Sequence, residues 1–404
     1  MKNLRRPGKR LSYLLVVIVL LGAYGTWALR KPLPMLQPIP ATRQLSVSAG
    51  SSKLSWPAAG QSAVGILDSR IFEVHGAQKP APIASVAKVI TALTVLDKKP
   101  VAPGGPGPVI TLSADDVALF RNYAAQDGSL VPVTAGEQIS EYQILQAMML
   151  PSANNIADSL AIWAFGSLPA YTAAANTYLA AHGLGDTHVG ADASGLSATT
   201  VSTAGDLVKL GNLAMQNKAL AQIVGQATAD GIPMTTTVKN VNFLLGTSNI
   251  IGIKTGNTEQ AGGVFLSASQ ITINNKPVTI VTAVVGSPTL FVAMKDSLTL
   301  VRSAQANFQP VTIAKAGDIL TRYNLPWGGL VAAVVDKDLK TSAWKGSTVA
   351  AAAKLKPIKA TSTKNEIVSI LTISDSAGNA NKVAVKLATA PTAPSAWWRL
   401  IHPF

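Results

Sequence analysis

The 404-residue chain predicts a mixed α/β (α+β) fold, an antiparallel sheet packed with helices, followed by a small all-β domain. Two textures carry that prediction. Between residues 62 and 307, β-favouring runs alternate with stretches of helical period. From Val311 on, short apolar or alternating pieces such as LVAAVVD, IVSILTIS and KVAVKLAT recur between turn residues with no helical period. A third observation, an uncharged apolar run over residues 11–29, places both units outside the cytoplasm.

That run, LSYLLVVIVLLGAYGTWAL, would span roughly 28 Å as a helix, enough for a bilayer core. Lys2, Arg5, Arg6, Lys9 and Arg10 precede it and hold the N-terminus in the cytoplasm. The run exceeds the usual signal core, so residues 1–29 are expected to form an uncleaved transmembrane anchor. Small-x-small sites at 23–25 and 26–28 make a cleaved signal peptide the competing reading. Residues 30–50 follow as a Pro-rich linker, expected to be an extended spacer.

The main domain is expected over residues 51–310. It opens with β-favouring residues 62–74, then a helix over 85–98 whose Val86, Val89, Ile90, Leu93 and Leu96 form an apolar stripe. A Pro/Gly loop occupies 100–109. Helical signals return over 140–165, 169–182 and 202–217, the last opening with Ser202-Thr203 as candidate cap. Strands are expected at 250–254, 264–273 and 277–285, with Asn274-Asn275 turning the last two into a hairpin. A helix over 290–307 closes the unit. The β domain is expected over 311–390, and a Trp-containing tail over 391–404.

Lys and Arg number 34 against 20 Asp and Glu, a formal charge of +14. Such a value normally invites nucleic acid. Its distribution argues otherwise: residues 1–50 hold eight basic and no acidic residues, 51–310 hold 14 and 15, and 311–404 hold 12 and five. The basic ends suit anionic lipid or wall polymer, and no aromatic stacking motif accompanies them, so no nucleic acid is expected. The chain has no cysteine and only four scattered histidines, so neither a thiolate site, a metal nor another cofactor is expected.

Three short motifs can carry chemistry. Ser85-Val86-Ala87-Lys88 opens a helix, and its three-residue step puts hydroxyl and amine on one face. A desolvated lysine of lowered pKa can take the serine proton, and the helix N-terminus offers N–H groups to a developing oxyanion. Ser152-Ala153-Asn154 precedes an apolar helix and pairs a proton-shuttling hydroxyl with a substrate-binding amide. Lys254-Thr255-Gly256 ends a strand, where an extended peptide can add to the sheet edge. Thr255 can bind a terminal carboxylate, and Gly256 admits close approach of a backbone. Each triplet alone is common; all three in this order, at helix start, helix-flanking loop and strand end, are not.

In these residues the chain resembles the serine-type D-alanyl-D-alanine carboxypeptidases, low-molecular-weight penicillin-binding proteins. The segment from Asn242-Phe243-Leu244-Leu245 through GIKTGNTEQAGG resembles the family's Asn-x-Leu-Leu…Gly-x-Lys-Thr-Gly-x-Thr…Ala-Gly stretch, and HGLGDTHVGADASGL resembles its Gly-Leu-x-x-Thr…Gly-Leu stretch. The resemblance covers residues 60–305 and implies a β-lactamase/transpeptidase-like fold; the module at 311–390 suits the family's C-terminal domain. It implies Ser85 as acylated nucleophile, Lys88 as general base, Ser152 as proton relay and Asn154 as substrate contact. Lys254 would supply positive charge, Thr255 would bind the terminal carboxylate, and the N–H groups of Ser85 and of Asn257, after Gly256, would form the oxyanion hole. The implied partners are peptidoglycan stem peptides and β-lactams; the membrane is expected to be reached through the N-terminal helix, and the tail, with Trp397 and Trp398 beside Arg399, is expected either to join it there or to dock into the β domain.

The chain departs from the family pattern in three places, one being the stretch before Ser85, which lacks a Thr-Gly turn common in relatives. Asn155 stands where the family usually has Asp, and Leu290 and Phe291 stand where many members offer arginine, with Lys295 the only cation nearby in sequence. Class A β-lactamases share the motifs, but their deacylation uses a glutamate between the second and third, and none lies between Asn155 and Ile253. The expected activity is therefore a serine-type D-Ala-D-Ala carboxypeptidase acting outside the cytoplasm. A β-lactamase and a catalytically inactive wall-binding or scaffold relative are the alternatives. Asp115-Asp116 and Asp336/Asp338 read as solvated loop charge, His75 as structural, and Asp192 as ordering a loop.

Overall fold

The computed structural model describes residues 8–233, 235, 237–273, 275–374 and 380–402. Lys2, Arg5 and Arg6 of the leader, Asn274 of the expected turn and Pro403-Phe404 of the tail lie outside them.

The central sheet has five antiparallel strands in the order Ile250–Thr258, Gly262–Ile273, Lys276–Ser287, Gln61–Ile66 and Phe72–His75. Alternation along each strand divides the sheet's faces. Ala63, Leu266, Ala268, Val281, Ala283 and Val285 join the large core that contains helices Ala87–Lys98, Glu141–Met149, Asn154–Phe165 and Ala204–Gln216. Val64, Ile66, Phe265, Ile280 and Val284 face the other way, onto helix Leu290–Gln305. The result is a helix–sheet–helix sandwich with Ile250–Thr258 as one edge strand.

The single helical stretch expected over 140–165 is two helices. Pro151 cannot continue the first, and Ser152 takes φ +69°, so the chain turns before restarting at Asn154. Asp115 and Asp116 are not loop charge. They lie in the first turn of helix Ala114–Ala124, where Asp116 completes a capping box with Ser113. Asp336 and Asp338 pair with Lys386 and Lys340, and His75 stacks on Trp56.

The linker is not a free spacer. Pro38–Ile39 and Thr42–Ser48 are the two edge strands of a seven-stranded sheet, pairing with Ile319–Asn324 and Thr348–Lys354 of the C-terminal module. The Ala-rich run becomes a strand because Val349, Ala351 and Ala353 point inward while their neighbours point out. The C-terminal module thus incorporates strands from the linker that precedes the main domain. Trp344 bridges it to the main domain, packing edge-on against Phe308 and donating Nε1–H to Glu73 Oε1 at 2.7 Å.

Gly8–Arg30 is one helix, and its Leu11–Arg30 part is long and apolar enough to cross a membrane. The tail forms helix Ala396–Ile401 against the far end of that helix. Tyr24 donates its hydroxyl to the Leu400 carbonyl, Arg399 donates to the Leu29 carbonyl, and Trp398 meets Trp327 of the module edge-on. The tail therefore docks on both the leader helix and the module.

Candidate active site

The first motif sits on a tight turn. Ala84–Val86 is a 3-10 turn leading into helix Ala87–Lys98, and Ala84 holds φ +45°. Lys88 is fully buried and Ser85 half-buried. Lys88 Nζ lies 3.0 Å from Ser85 Oγ, 2.6 Å from Asn154 Oδ1 and 2.9 Å from the Ser194 carbonyl oxygen.

These three neighbours are not equivalent. The carbonyl oxygens of Asn154 and Ser194 only accept, whereas the serine hydroxyl can also give a proton. A neutral amine has two N–H donors and one lone pair. Donating to both carbonyls leaves the lone pair for the Ser85 hydroxyl. The geometry therefore selects the direction in which Lys88 can act as a base.

The electrostatics favour the neutral amine. Burial, the larger cause, and the charge of Lys254 push the Lys88 pKa well below the ordinary lysine value, while Asp192 and Asp158 oppose the shift. Burial also brings Lys254 down to about 7. Lys254 lies on the edge strand with Nζ 3.1 Å from the Thr255 carbonyl, and Thr255 is buried beside it.

Gly256 packs on the serine turn. A Cβ there would lie 2.8 Å from the Ile83 carbonyl oxygen and 3.1 Å from the Ser85 nitrogen. The backbone that approaches this glycine is the protein's own, and the close contact brings Ser85 against the edge strand. Asn257 is exposed and pairs with Gly263, which lies against the backbone of Thr289 and Leu290. That places the N-terminus of helix Leu290–Gln305, with Phe291 68% exposed, at the end of the motif strand.

The structure thus groups Ser85, Lys88 and Asn154 by direct hydrogen bonds. Gly256 touches the Ser85 backbone, and Lys254 is coupled to Lys88 by charge. Ser152 is buried, and its hydroxyl has no hydrogen-bond partner among the described residues. Asn155 explains its own departure: its amide donates to the Val131 carbonyl (2.8 Å) and accepts the Val131 N–H (3.2 Å). A carboxylate accepts only and would leave that buried carbonyl without a donor.

Apart from Asp192, which the sequence reads as ordering a loop, sequence reasoning missed the support behind Lys88. Asp192 orders its loop by accepting the N–H groups of Ser194, Gly195, Leu196 and Ser197. Gly195, at φ +75°, packs so closely on the Ala84 backbone that a side chain would collide with its carbonyl. Asp158 accepts from the Ala193 N–H and from the Tyr123 hydroxyl, and Thr91 donates to the Ala193 carbonyl. The legible signal was an ionisable residue, Asp158, on the otherwise apolar helix NNIADSLAIWAF, four positions after Asn154.

Comparison with known proteins agrees with this geometry. Residues 61–289 match the model of the peptidase S11 family, described as D-alanyl-D-alanine carboxypeptidase. Among curated proteins, the D-alanyl-D-alanine endopeptidase of Escherichia coli is 28% identical over 60% of this chain and 76% of its own length. The Pseudomonas aeruginosa protein of the same name is 33% identical over 50% of this chain and 62% of its own. In fold, the chain is similar to penicillin binding protein 5 from Haemophilus influenzae (TM-score 0.57, 20% identity, 84% of this chain, 98% of that one). It is also similar to the Streptomyces K15 DD-transpeptidase (TM-score 0.55, 21% identity, 64% and 100%).

Proposed function

The chain belongs to the D-alanyl-D-alanine carboxypeptidase family, and from that membership we propose that it removes the terminal D-alanine from peptidoglycan stem peptides through an acyl-enzyme on Ser85. It is a serine-type D-Ala-D-Ala peptidase; the finer choice of bond and the residue roles are our reading. The observation that carries it is the three-way contact of Lys88 Nζ with Ser85 Oγ, Asn154 Oδ1 and Ser194 O.

In this mechanism Lys88 takes the Ser85 proton as Oγ attacks the carbonyl of the penultimate D-alanine. The Ser85 and Asn257 N–H groups receive the oxyanion. The proton then passes by way of Ser152 to the departing amine, and Asn154 holds the substrate amide. Thr255 and the Lys254 charge meet the carboxylate. Water then releases the acyl group. β-Lactams enter the same path and remain on Ser85, since no glutamate lies between Asn155 and Ile253 to drive their hydrolysis. The leader helix tethers the enzyme to the outer face of the membrane.

Cleavage of a crosslink is the second reading. Both curated relatives carry the name endopeptidase, and apolar Phe291 lies exposed at the end of the motif strand. The test uses the full chain in detergent, because starting at residue 51 would delete the edge strand Thr42–Ser48. It is incubated with labelled penicillin, a stem pentapeptide and a crosslinked dimer. Labelling at Ser85 with D-alanine release supports the carboxypeptidase; cleavage of the dimer alone favours the endopeptidase. Rapid penicillin turnover favours a β-lactamase, and a folded protein inert to all three is a scaffold.

A further inference from the structure

Two carboxylates lie beneath Lys88, and the mechanism above uses neither. Asp158 is 3% exposed and lies one helical turn after Asn154, so both side chains share a face of helix Asn154–Phe165. Asn154 touches Lys88 directly. Asp158 reaches it through the loop: its Oδ1 accepts the Ala193 N–H at 2.9 Å, and the next residue, Ser194, presents its carbonyl to Lys88 Nζ. Its Oδ2 accepts the Tyr123 hydroxyl at 2.7 Å.

We propose that Asp158 is a positioning residue for acylation, holding the Ala193-Ser194 segment so that the Ser194 carbonyl turns the Lys88 lone pair toward Ser85. The inference rests on Lys88 acting as the base. Both partners of Asp158 are donors, so an acceptor-only carboxylate fits where a hydroxyl or amide would satisfy them less completely. Thr91 fixes the Ala193 carbonyl from the opposite side at 2.6 Å and shares its hydroxyl with Tyr171. Asp192 accepts the N–H of Ser194 itself and of the three residues after it. Among the described residues, Asp158 ties the N–H of Ala193 to the helix that also carries Asn154, so one helix helps set both carbonyls that Lys88 donates to.

The carboxylate has an electrostatic role besides. The ionisable groups surrounding it are Lys88 from the serine helix, Tyr123 from Ala114–Ala124, Tyr171 from Leu168–Ala181 and Asp192 from the loop, with Lys254 beyond Lys88. Burial raises Asp158 to about 6 against the hydrogen bonds of Tyr123 and Ala193, and its charge favours the protonated amine. Removing that charge lowers the Lys88 pKa.

The test measures the second-order rate of Ser85 acylation by fluorescent penicillin against pH, using the full chain in detergent. Asp158→Ala removes the acceptor for Ala193 and is expected to slow acylation roughly 10- to 100-fold, the effect of misplacing a reacting group by up to about an ångström. The near-isosteric Asp158→Asn keeps an acceptor and is expected to lose less, while its ascending pH limb moves to lower pH. Rates for both variants within twofold of wild type, with an unmoved limb, overturn the proposal even if their melting temperatures fall. If Asp158→Ala does not fold, Asp158→Asn alone decides by the position of its limb. Absence of label on wild type defeats instead the assignment of Ser85 and Lys88.

Discussion

Lys88 and Ser194, 106 residues apart, meet through the amine and a backbone carbonyl at 2.9 Å, both groups buried. This contact converts a lysine near a serine into a lysine aimed at it. Of the three oxygens around Nζ, only Ser85 Oγ carries a transferable proton, so the two carbonyls determine the lone-pair direction.

Replacing Lys88 by methionine removes the base and leaves two buried carbonyls without their donor. Acylation by labelled penicillin is expected to fall by about 10²–10⁴-fold. Thermal unfolding should show a loss of about 1–3 kcal/mol, set by the unsatisfied carbonyls. Near-wild-type acylation in this variant would require another base.

Gly256→Ala tests the packing of the edge strand on the serine turn. The added methyl meets the Ile83 carbonyl at 2.8 Å and the Ser85 nitrogen at 3.1 Å, both backbone atoms. Either the strand or Ser85 must shift, and a shift near 1 Å is expected to cost about 100-fold in acylation. Far-ultraviolet circular dichroism should remain that of wild type. An unchanged acylation rate would show that the turn yields without loss.

The charge of Lys254 acts on Lys88 in the opposite sense to that of Asp158. The Lys254 charge lowers the Lys88 pKa, so Lys254→Gln is expected to move the ascending limb of acylation to higher pH, besides reducing its height. The displacement is expected mainly below about pH 7, where Lys254 holds its own proton. A limb that moves to lower pH, as expected for Asp158→Asn, contradicts this coupling.

Glu141 gives a pH test independent of activity. It lies fully buried below the Pro/Gly loop, its carboxylate oxygens without hydrogen-bond partners among the described residues, and burial raises it to about 7 from 4.5. Its folded pKa is raised, so its favourable contribution is complete below pH 4.5 and lost as pH rises through about 7. Glu141→Gln removes that dependence. Its melting temperature relative to wild type is expected to be more favourable at pH 8 than at pH 5, by a few degrees for about 1 kcal/mol. A constant difference across that range would mean that Glu141 titrates normally.

The three triplets were legible because each rests on a local pattern: a three-residue step at a helix start, a hydroxyl before a helix start, and a lysine on a strand, which runs on to Thr258 rather than ending at Lys254. β-Favouring runs likewise disclosed the central sheet, and short apolar or alternating pieces disclosed several of the C-terminal strands. The helix Ala114–Ala124 escaped notice because its apolar residues are few and its capping aspartates resemble loop charge. The strand Thr42–Ser48 escaped because its partner, Thr348–Lys354, lies some 300 residues away and neither has a strong β signal by itself.

By itself the sequence determined the order of the motifs, an N-terminal run apolar enough to cross a membrane, the two textures of fold and the absence of a cysteine nucleophile. The tertiary structure alone decided what surrounds Lys88. Asn154 and Asp158 from one helix, Ser194 from a loop and Tyr123 from another helix assemble around it, and a hydrogen bond forms only where folding brings donor and acceptor within about 3 Å. The same reason governs the ends of the chain: linker strands and tail find their partners through long-range pairing and packing, which no local period records.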